Sequence, residues 1–310
     1  MIDFSPTQEQ KQIQALARQF AREVIAPQAA EFDREERFPA AIVEQAAGLG
    51  LLNVSIPEAQ GGLGLGMRDE VLMGEELAWG CMGIYSILMA SELGITPIVQ
   101  AGSEEQKERF LRPLAEGGKL AAFALSEPDN GSDAAAMKTR ARFEGDEVVL
   151  DGTKMWITNG NTADIAIVWA IDEEGTVQGF IVPTDAPGFS ANLIKHKVSL
   201  RASVTSELVL DGVRVPESAR LPQGTGLRAP LGCLTQARYG IAWGAMGALE
   251  AVYEEALDFA KSRVTFERPI AARQLVQTSW WAWPATTPPA CCSPGAWAAS
   301  RTRTPWSSRR

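Results

Sequence analysis

Two short stretches carry residue types that could do chemistry. In LSEPDNGSD (125–133), Pro128, Asn130 and Gly131 make a turn. That turn is rich in small hydroxyls and free backbone N–H groups, of the kind that cradle phosphate or carbonyl oxygens. KMWITNGN (154–161) sets the flat ring of Trp156 two residues from the hydroxyl of Thr158. At strand periodicity the two side chains share a face. A planar heteroaromatic ring could stack there and be hydrogen-bonded at its edge. Taken singly, the pieces read more simply as a satisfied turn and a core tryptophan; only together do they point to a bound ring system.

The elements that must position them follow from periodicity. Residues 1–118 read as helical. Ser5 with Gln8 forms a capping box, Pro6 suits the first helical position, and Ile13, Leu16, Phe20 and Val24 keep one apolar face until Pro27 ends the helix. Further helices are expected near 40–48, 67–80 and 103–117. QGGLGLG (60–66) reads as a mobile loop, since no strand precedes it and no lysine follows to make it a phosphate loop. From about Ala121 short β-branched runs alternate with Gly, Pro and Asp turns and no helix intervenes. The expectation over 119–229 is an antiparallel sheet or barrel, not a βαβ array. From 230 to 277 helix returns, apolar nearly all round in its first half and so expected to be buried on several sides. Gly240, Ala242, Gly244, Ala245, Gly247 and Ala248 would admit another backbone.

Composition narrows the class. The chain has 310 residues and a net charge of −9, which argues against nucleic acid and anionic membranes as partners. No apolar run reads as long enough for a membrane helix, and the start MIDFSPTQEQ lacks the pattern of a secretion signal. Four cysteines without framework or metal spacing fit a reduced cytoplasm. His196, the single histidine, rules out a histidine triad or a multi-histidine metal site. Residues 278–310 contain no Asp, Glu, Lys, Leu, Ile, Val, Met or Phe, yet hold five of the nine tryptophans. They read as an out-of-frame, disordered tail, with a Pro- and Trp-rich binding tail as the alternative.

Together the two motifs resemble the acyl-CoA dehydrogenase family. The matching residues are Ala124, Leu125, Ser126, Glu127, Pro128, Gly131, Ser132 and Asp133, then Lys154, Trp156, Ile157, Thr158 and Asn159. The resemblance runs from Ile2 to about Gln277 and implies a multi-domain α and β fold: an all-α N-terminal domain, an antiparallel β-barrel, and an incomplete C-terminal helical bundle. It implies FAD as cofactor, an acyl-CoA substrate, an electron-transfer flavoprotein as acceptor and a homotetramer. In the family a carboxylate removes the α-proton of the thioester while the β-hydrogen leaves as hydride to the flavin.

Carried over by position, Trp156 and Ile157 lie against the flavin, Thr158 at its edge, and Phe123, Ser126, Gly131 and Ser132 around flavin and pyrophosphate. Ser132 also approaches CoA. Arg263, Thr265, Phe266 and Gln274 match a segment that reaches the FAD of a neighbouring subunit, although Glu267 stands where a glycine is usual. Arg238 matches an arginine near the acyl-CoA site; a buried ion pair is the alternative.

The catalytic glutamate segment has no counterpart, and Ala237 occupies the alternative base position, so slow turnover is expected. SLRAS (199–203) and CLTQARYGIAWG (233–244) look most like the glutaryl-CoA branch. Ile84, however, falls where that branch places an arginine, and Met89 where medium-chain enzymes carry glutamate. Monocarboxylic acyl chains are therefore favoured. A glutaryl-CoA dehydrogenase-like enzyme, an acyl-CoA oxidase or flavin monooxygenase on the same scaffold, and an inactive truncated product are the alternatives.

Overall fold

The structure is a computed structural model that describes residues 5–286, with side chains to Trp280. Helix α1 (Gln8–Phe20) is capped by Thr7 and not by Ser5. The Thr7 hydroxyl accepts from Gln10 N at 3.2 Å, and Thr7 N donates to Gln10 Oε1 at 3.0 Å. The box slips two residues because Gln10 then also donates from Nε2 to Asp69 at 2.8 Å, a tertiary bond that selects this register. Nor does Pro27 end the helix. A π-helical turn (Ala21–Ile25) precedes α2 (Ala26–Glu35) and sets Pro27 in the first turn, where no N–H is needed.

Helix α3 (Ala40–Gly48), α4 (Met67–Gly80) and α5 (Met82–Ala101) follow. A compound helix closes the N-terminal part: α6 (Glu104–Gln106), a π turn and α7 (Arg112–Glu116). The glycine-rich loop is irregular as expected but tethered, with Gly64 N donating to Ile56 O and Leu65 N to Val54 O. Helix α5, against the sequence expectation, is long and apolar enough to cross a membrane, yet 78% of that stretch is buried inside the protein. Its composition reflects a helix enclosed by neighbours.

Eight strands make one sheet. They are β1 (Ala121–Ala124), β2 (Arg140–Glu144), β3 (Glu147–Thr158), β4 (Ile165–Ile171), β5 (Val177–Pro183), β6 (Phe189–Leu193), β7 (Thr205–Pro216) and β8 (Arg220–Thr225). The path runs β6-β7-β3-β2-β4-β5-β8, with β1 attached to β4. Most pairs are antiparallel, but β1 lies parallel to β4 and β2 meets β4 in parallel at Arg140–Ile171, so the sheet is mixed. Strand β4 is buried throughout. Ala166, Val168 and Ala170 join one core cluster, while Ile165, Ile167, Trp169 and Ile171 join the other. That two-sided burial explains its unbroken apolar sequence.

Helix α8 (Arg228–Ser262) runs 35 residues across α4 and α5. Gly240, Gly244 and Gly247 form the inward stripe. A Cβ on Gly244 would meet the Tyr85 ring at 2.4 Å, and one on Gly247 the Glu75 carbonyl oxygen at 1.8 Å. Ala242 and Ala245 are exposed, as are Tyr239 and Ile241, so within this chain the helix is covered on one side.

Beyond it a hairpin of β9 (Val264–Thr265) and β10 (Arg268–Pro269) turns through Phe266 and Glu267, both at positive φ (50° and 63°). The turn forms although Glu267 replaces the glycine that would suit it. Helix α9 (Gln274–Thr286) then continues past Gln277, and Trp280 packs edge-on against Tyr253 with ring centres 5.2 Å apart. The start of the segment expected to be disordered is therefore helical; residues 287–310 lie outside the described residues.

Left-handed backbone costs an L-residue roughly 1–2 kcal/mol. Glu267→Gly is therefore expected to raise unfolding free energy by about 1 kcal/mol. Urea denaturation checks this, and an unchanged or lower midpoint would count against the strain.

Candidate functional site

The two chemistry-bearing stretches become one unit through a buried ion pair. Glu127 and Lys154 are 4% and 0% exposed, with Nζ 2.9 Å from Oε1. The same carboxylate accepts from Thr139 N at 2.9 Å, Thr139 Oγ1 at 2.6 Å and Lys138 N. Lys154 Nζ also donates to Leu125 O at 3.1 Å, and Met155 N to Ser126 O at 2.8 Å. Burial opposes ionisation of Glu127, but the Lys154 charge, the Thr139 hydroxyl and the Lys138 N–H outweigh it and hold the carboxyl well below its usual range, at about 2. Burial pulls Lys154 down, against the opposing charge of Glu127.

Strand β3 is irregular where it leaves this pair. Its register against β7 shifts between Lys154 and Ile157, and Trp156 takes φ 65°. A bulky residue in left-handed backbone is a genuine outlier. The bulge leaves the Trp156 ring 61% exposed, next to buried Ile157, with half-buried Thr158 beyond. Simple alternation would put Trp156 and Thr158 on one face; the strand is instead bulged between Lys154 and Ile157. Asn159, at φ 63° and fully buried, donates from Nδ2 to Ile87 O of α5 at 2.9 Å.

The turn beside Trp156 is open. Gly131 and Ser132 are exposed and Ser126 half-buried. A Cβ on Gly131 would find no atom within 4 Å, and its φ is not positive, so neither crowding nor backbone conformation within the chain demands glycine there. Asn130 Nδ2 is shielded and has no partner. An exposed ring, an open glycine and a spare donor suit a flat cofactor with phosphates. Phe123 is buried, its ring against that of Trp169 with centres 6.0 Å apart.

A second feature lies between the loop 51–54, α4, α5 and α8, a cavity of about 40 Å³. Met89 and Ala237 line it, as does Gly240. Ile84 does not, being fully buried in the core; its neighbour Tyr85 lines the wall and donates from its hydroxyl to Gly240 O at 3.2 Å. One residue along a helix turns a side chain by about 100°. Arg238, next to Ala237, is exposed and off the lining. Sequence reading missed Tyr85, Glu70 and Glu92. Glu70 stands in register with Met73 and Leu77, and Glu92 with Tyr85 and Leu88, so acids on apolar helical stripes were the available signal.

Arg263, Thr265, Phe266 and Gln274 lie elsewhere. Arg263 follows Ala237 by 26 positions, roughly 39 Å along the axis at 1.5 Å per residue. Phe266 is 92% exposed, and Arg263 and Gln274 are exposed too. They are not part of the arrangement around Trp156 and the cavity.

Three family models match in order: the acyl-CoA dehydrogenase N-terminal domain over 7–118, the middle domain over 122–213 and the C-terminal domain over 224–283. The last extends past Gln277, where the sequence resemblance was taken to stop. Over 266 residues the chain is 38% identical to the human mitochondrial short-chain specific acyl-CoA dehydrogenase, covering 84% of this chain and 65% of that protein. A crystal structure of glutaryl-CoA dehydrogenase from Mycobacterium smegmatis matches with TM-score 0.86 and 45% identity, over 90% of this chain and 72% of that one. A second, in complex with FADH2, matches at 0.86 and 42%, over 89% and 72%. The chain belongs to the acyl-CoA dehydrogenase family.

Because Glu127 is held at about 2 when folded, against 4.5 ordinarily, the unfolded chain binds more protons between those values. Its stabilisation is complete above about pH 4.5 and is lost as pH falls toward 2. Glu127→Gln should flatten this limb of an acid-unfolding curve. At pH 7 it should destabilise by about 3–5 kcal/mol, the usual cost of stranding a buried charge, with Glu127→Gln/Lys154→Met recovering part. A double variant no better than the single one would refute the coupling.

Proposed function

We propose that this chain carries the flavin and acyl-CoA surfaces of an FAD-dependent acyl-CoA dehydrogenase. The observation that carries the reading is the outward Trp156 ring on its bulge, beside Thr158 and the Ser126–Gly131–Ser132 turn, all fixed to one buried ion pair. Trp156 would stack on the ring system and Thr158 hydrogen-bond its edge. Ser126, Ser132 and the spare Asn130 amide would hold pyrophosphate and CoA oxygens. When bound, FAD would supply the acceptor for the β-hydrogen as hydride, yielding a trans-2-enoyl thioester. Electrons would leave to an electron-transfer flavoprotein, in a cytoplasmic homotetramer where Arg263, Thr265, Phe266 and Gln274 serve a neighbouring copy.

The cavity fits the acyl chain. It is small, walled by Met89, Leu88 and Tyr85, and its lining holds no basic residue to pair a terminal carboxylate. Short monocarboxylic chains are the favoured substrates. Ala237 meets this cavity where a base would be needed, and its methyl cannot take a proton.

Trp156→Ala is expected to strip most of the flavin from purified protein, read as the ratio of flavin to protein absorbance; full retention would overturn the stacking role. Ala237→Glu would place a carboxylate on the cavity wall. It should raise dye reduction with butyryl-CoA at least about tenfold, toward the 10²–10⁴ a positioned base contributes. An unchanged rate in a flavin-loaded variant would remove position 237 from consideration as a base site.

A further inference from the structure

The cavity between α4, α5 and α8 is unusual in its charges. Glu70 reaches it from α4 and Glu92 from α5, and its lining contains no Lys, Arg or His. Neither carboxylate forms a salt bridge among the described residues. Glu92 is 9% exposed, and Oε1 accepts from Ser55 N at 3.0 Å. Gln236 from α8 hydrogen-bonds Glu70. Burial, followed by the nearby Glu92 charge, pushes Glu70 up to about 7, and burial raises Glu92. Glu92 is met within the chain by the Ser55 hydroxyl and the N–H groups of Ser55 and Val54, whereas half-buried Glu70 has Gln236 and keeps further acceptor sites on the cavity side, which a bound donor would satisfy. A cavity of about 40 Å³ has room for a compact polar end group such as a carboxamide.

We propose that Glu70 and Glu92 are specificity-determining residues that make this cavity a receptor for an acyl group ending in a hydrogen-bond donor, such as a carboxamide, and a barrier to one ending in a carboxylate. This rests on the acyl-CoA reading above and names the end-group chemistry that reading leaves open. A donor end meets the acceptor sites of Glu70 that Gln236 leaves open. A carboxylate end meets like charge with no counter-ion, so exclusion is built in as repulsion. The M. smegmatis relatives are named for glutaryl-CoA, a carboxylate-ended thioester; in this chain the wall has the opposite complement.

The test uses the full chain and calorimetric titration with three thioesters of one shape: glutaramoyl-CoA, glutaryl-CoA and 5-methylhexanoyl-CoA. At about pH 8, with Glu70 ionised, glutaramoyl-CoA should bind at least about tenfold tighter than glutaryl-CoA, the effect of ~1.4 kcal/mol. It should also bind tighter than the apolar isostere. Glu70→Gln should cut the carboxamide-over-carboxylate preference several-fold. Lowering the pH to about 6 should narrow it in the unmodified chain. The titratable groups facing Glu70 are Asp69 on its own helix and Glu92 and Tyr85 from α5; the α8 lining residues Gln236, Ala237 and Gly240 do not titrate. Equal affinity for all three thioesters, or tighter glutaryl-CoA, would overturn the proposal while leaving the acyl-CoA reading intact. Failure of every thioester to bind would remove both.

Discussion

The buried pair of Glu127 and Lys154 is the constraint on which the candidate flavin surface depends. A lysine with no exposed surface is tolerable only with its charge answered, and here the answer comes from a turn 27 positions earlier in the chain. Because Glu127 also takes the amides of Lys138 and Thr139, one carboxylate fixes the start of the turn, its exit toward β2, and the bulged end of β3. The strained φ of Trp156 can persist because the strand is clamped on both sides. Lys154 holds it before the bulge, and Ile157 and Thr158 pair with β7 after it.

The same strand end reaches into the helical layer. Asn159 sends its side-chain amide to the carbonyl of Ile87, in the helix whose Tyr85, Leu88, Met89 and Glu92 line the cavity. The outward Trp156 surface and the cavity are thus attached to each other by a buried hydrogen bond at the junction of sheet and helices. A fold that wraps helices against one face of a sheet offers such a junction only where a strand ends beneath a helix.

Much of this was legible in the sequence, for identifiable reasons. The switch from helical to alternating periodicity near Ala121 and back near Pro230 is a direct record of burial, and the sheet and long helix stand where it put them. The bulge at Trp156 was not legible, since a bulge leaves no mark on composition. Long-range competition accounts for the shifted cap. Ser5 and Thr7 offer equivalent boxes, and the Gln10–Asp69 bond to α4 favours the one at Thr7. The parallel pairing of β1, which carries Phe123, on β4 is one that no local pattern announces. Ile84 and Tyr85 show how an assignment by motif position alone can miss a wall by one residue.

The long helix shows how local cost is exchanged for close approach. Gly240, Gly244 and Gly247 each weaken a helix by about 1 kcal/mol relative to alanine. Alanine at 244 or 247 would drive a methyl into Tyr85 or into the Glu75 backbone. The glycines let α8 settle directly on α4 and α5, with a lateral reach no side-chain-covered helix would have. That closeness keeps the cavity small, because Gly240 contributes only backbone to its wall and that carbonyl is tied to the Tyr85 hydroxyl. Away from the glycine stripe Tyr239, Ile241, Val252 and Phe259 stay exposed. One helix therefore sets the cavity's width on its inner side, and the glycine spacing decides which face that is.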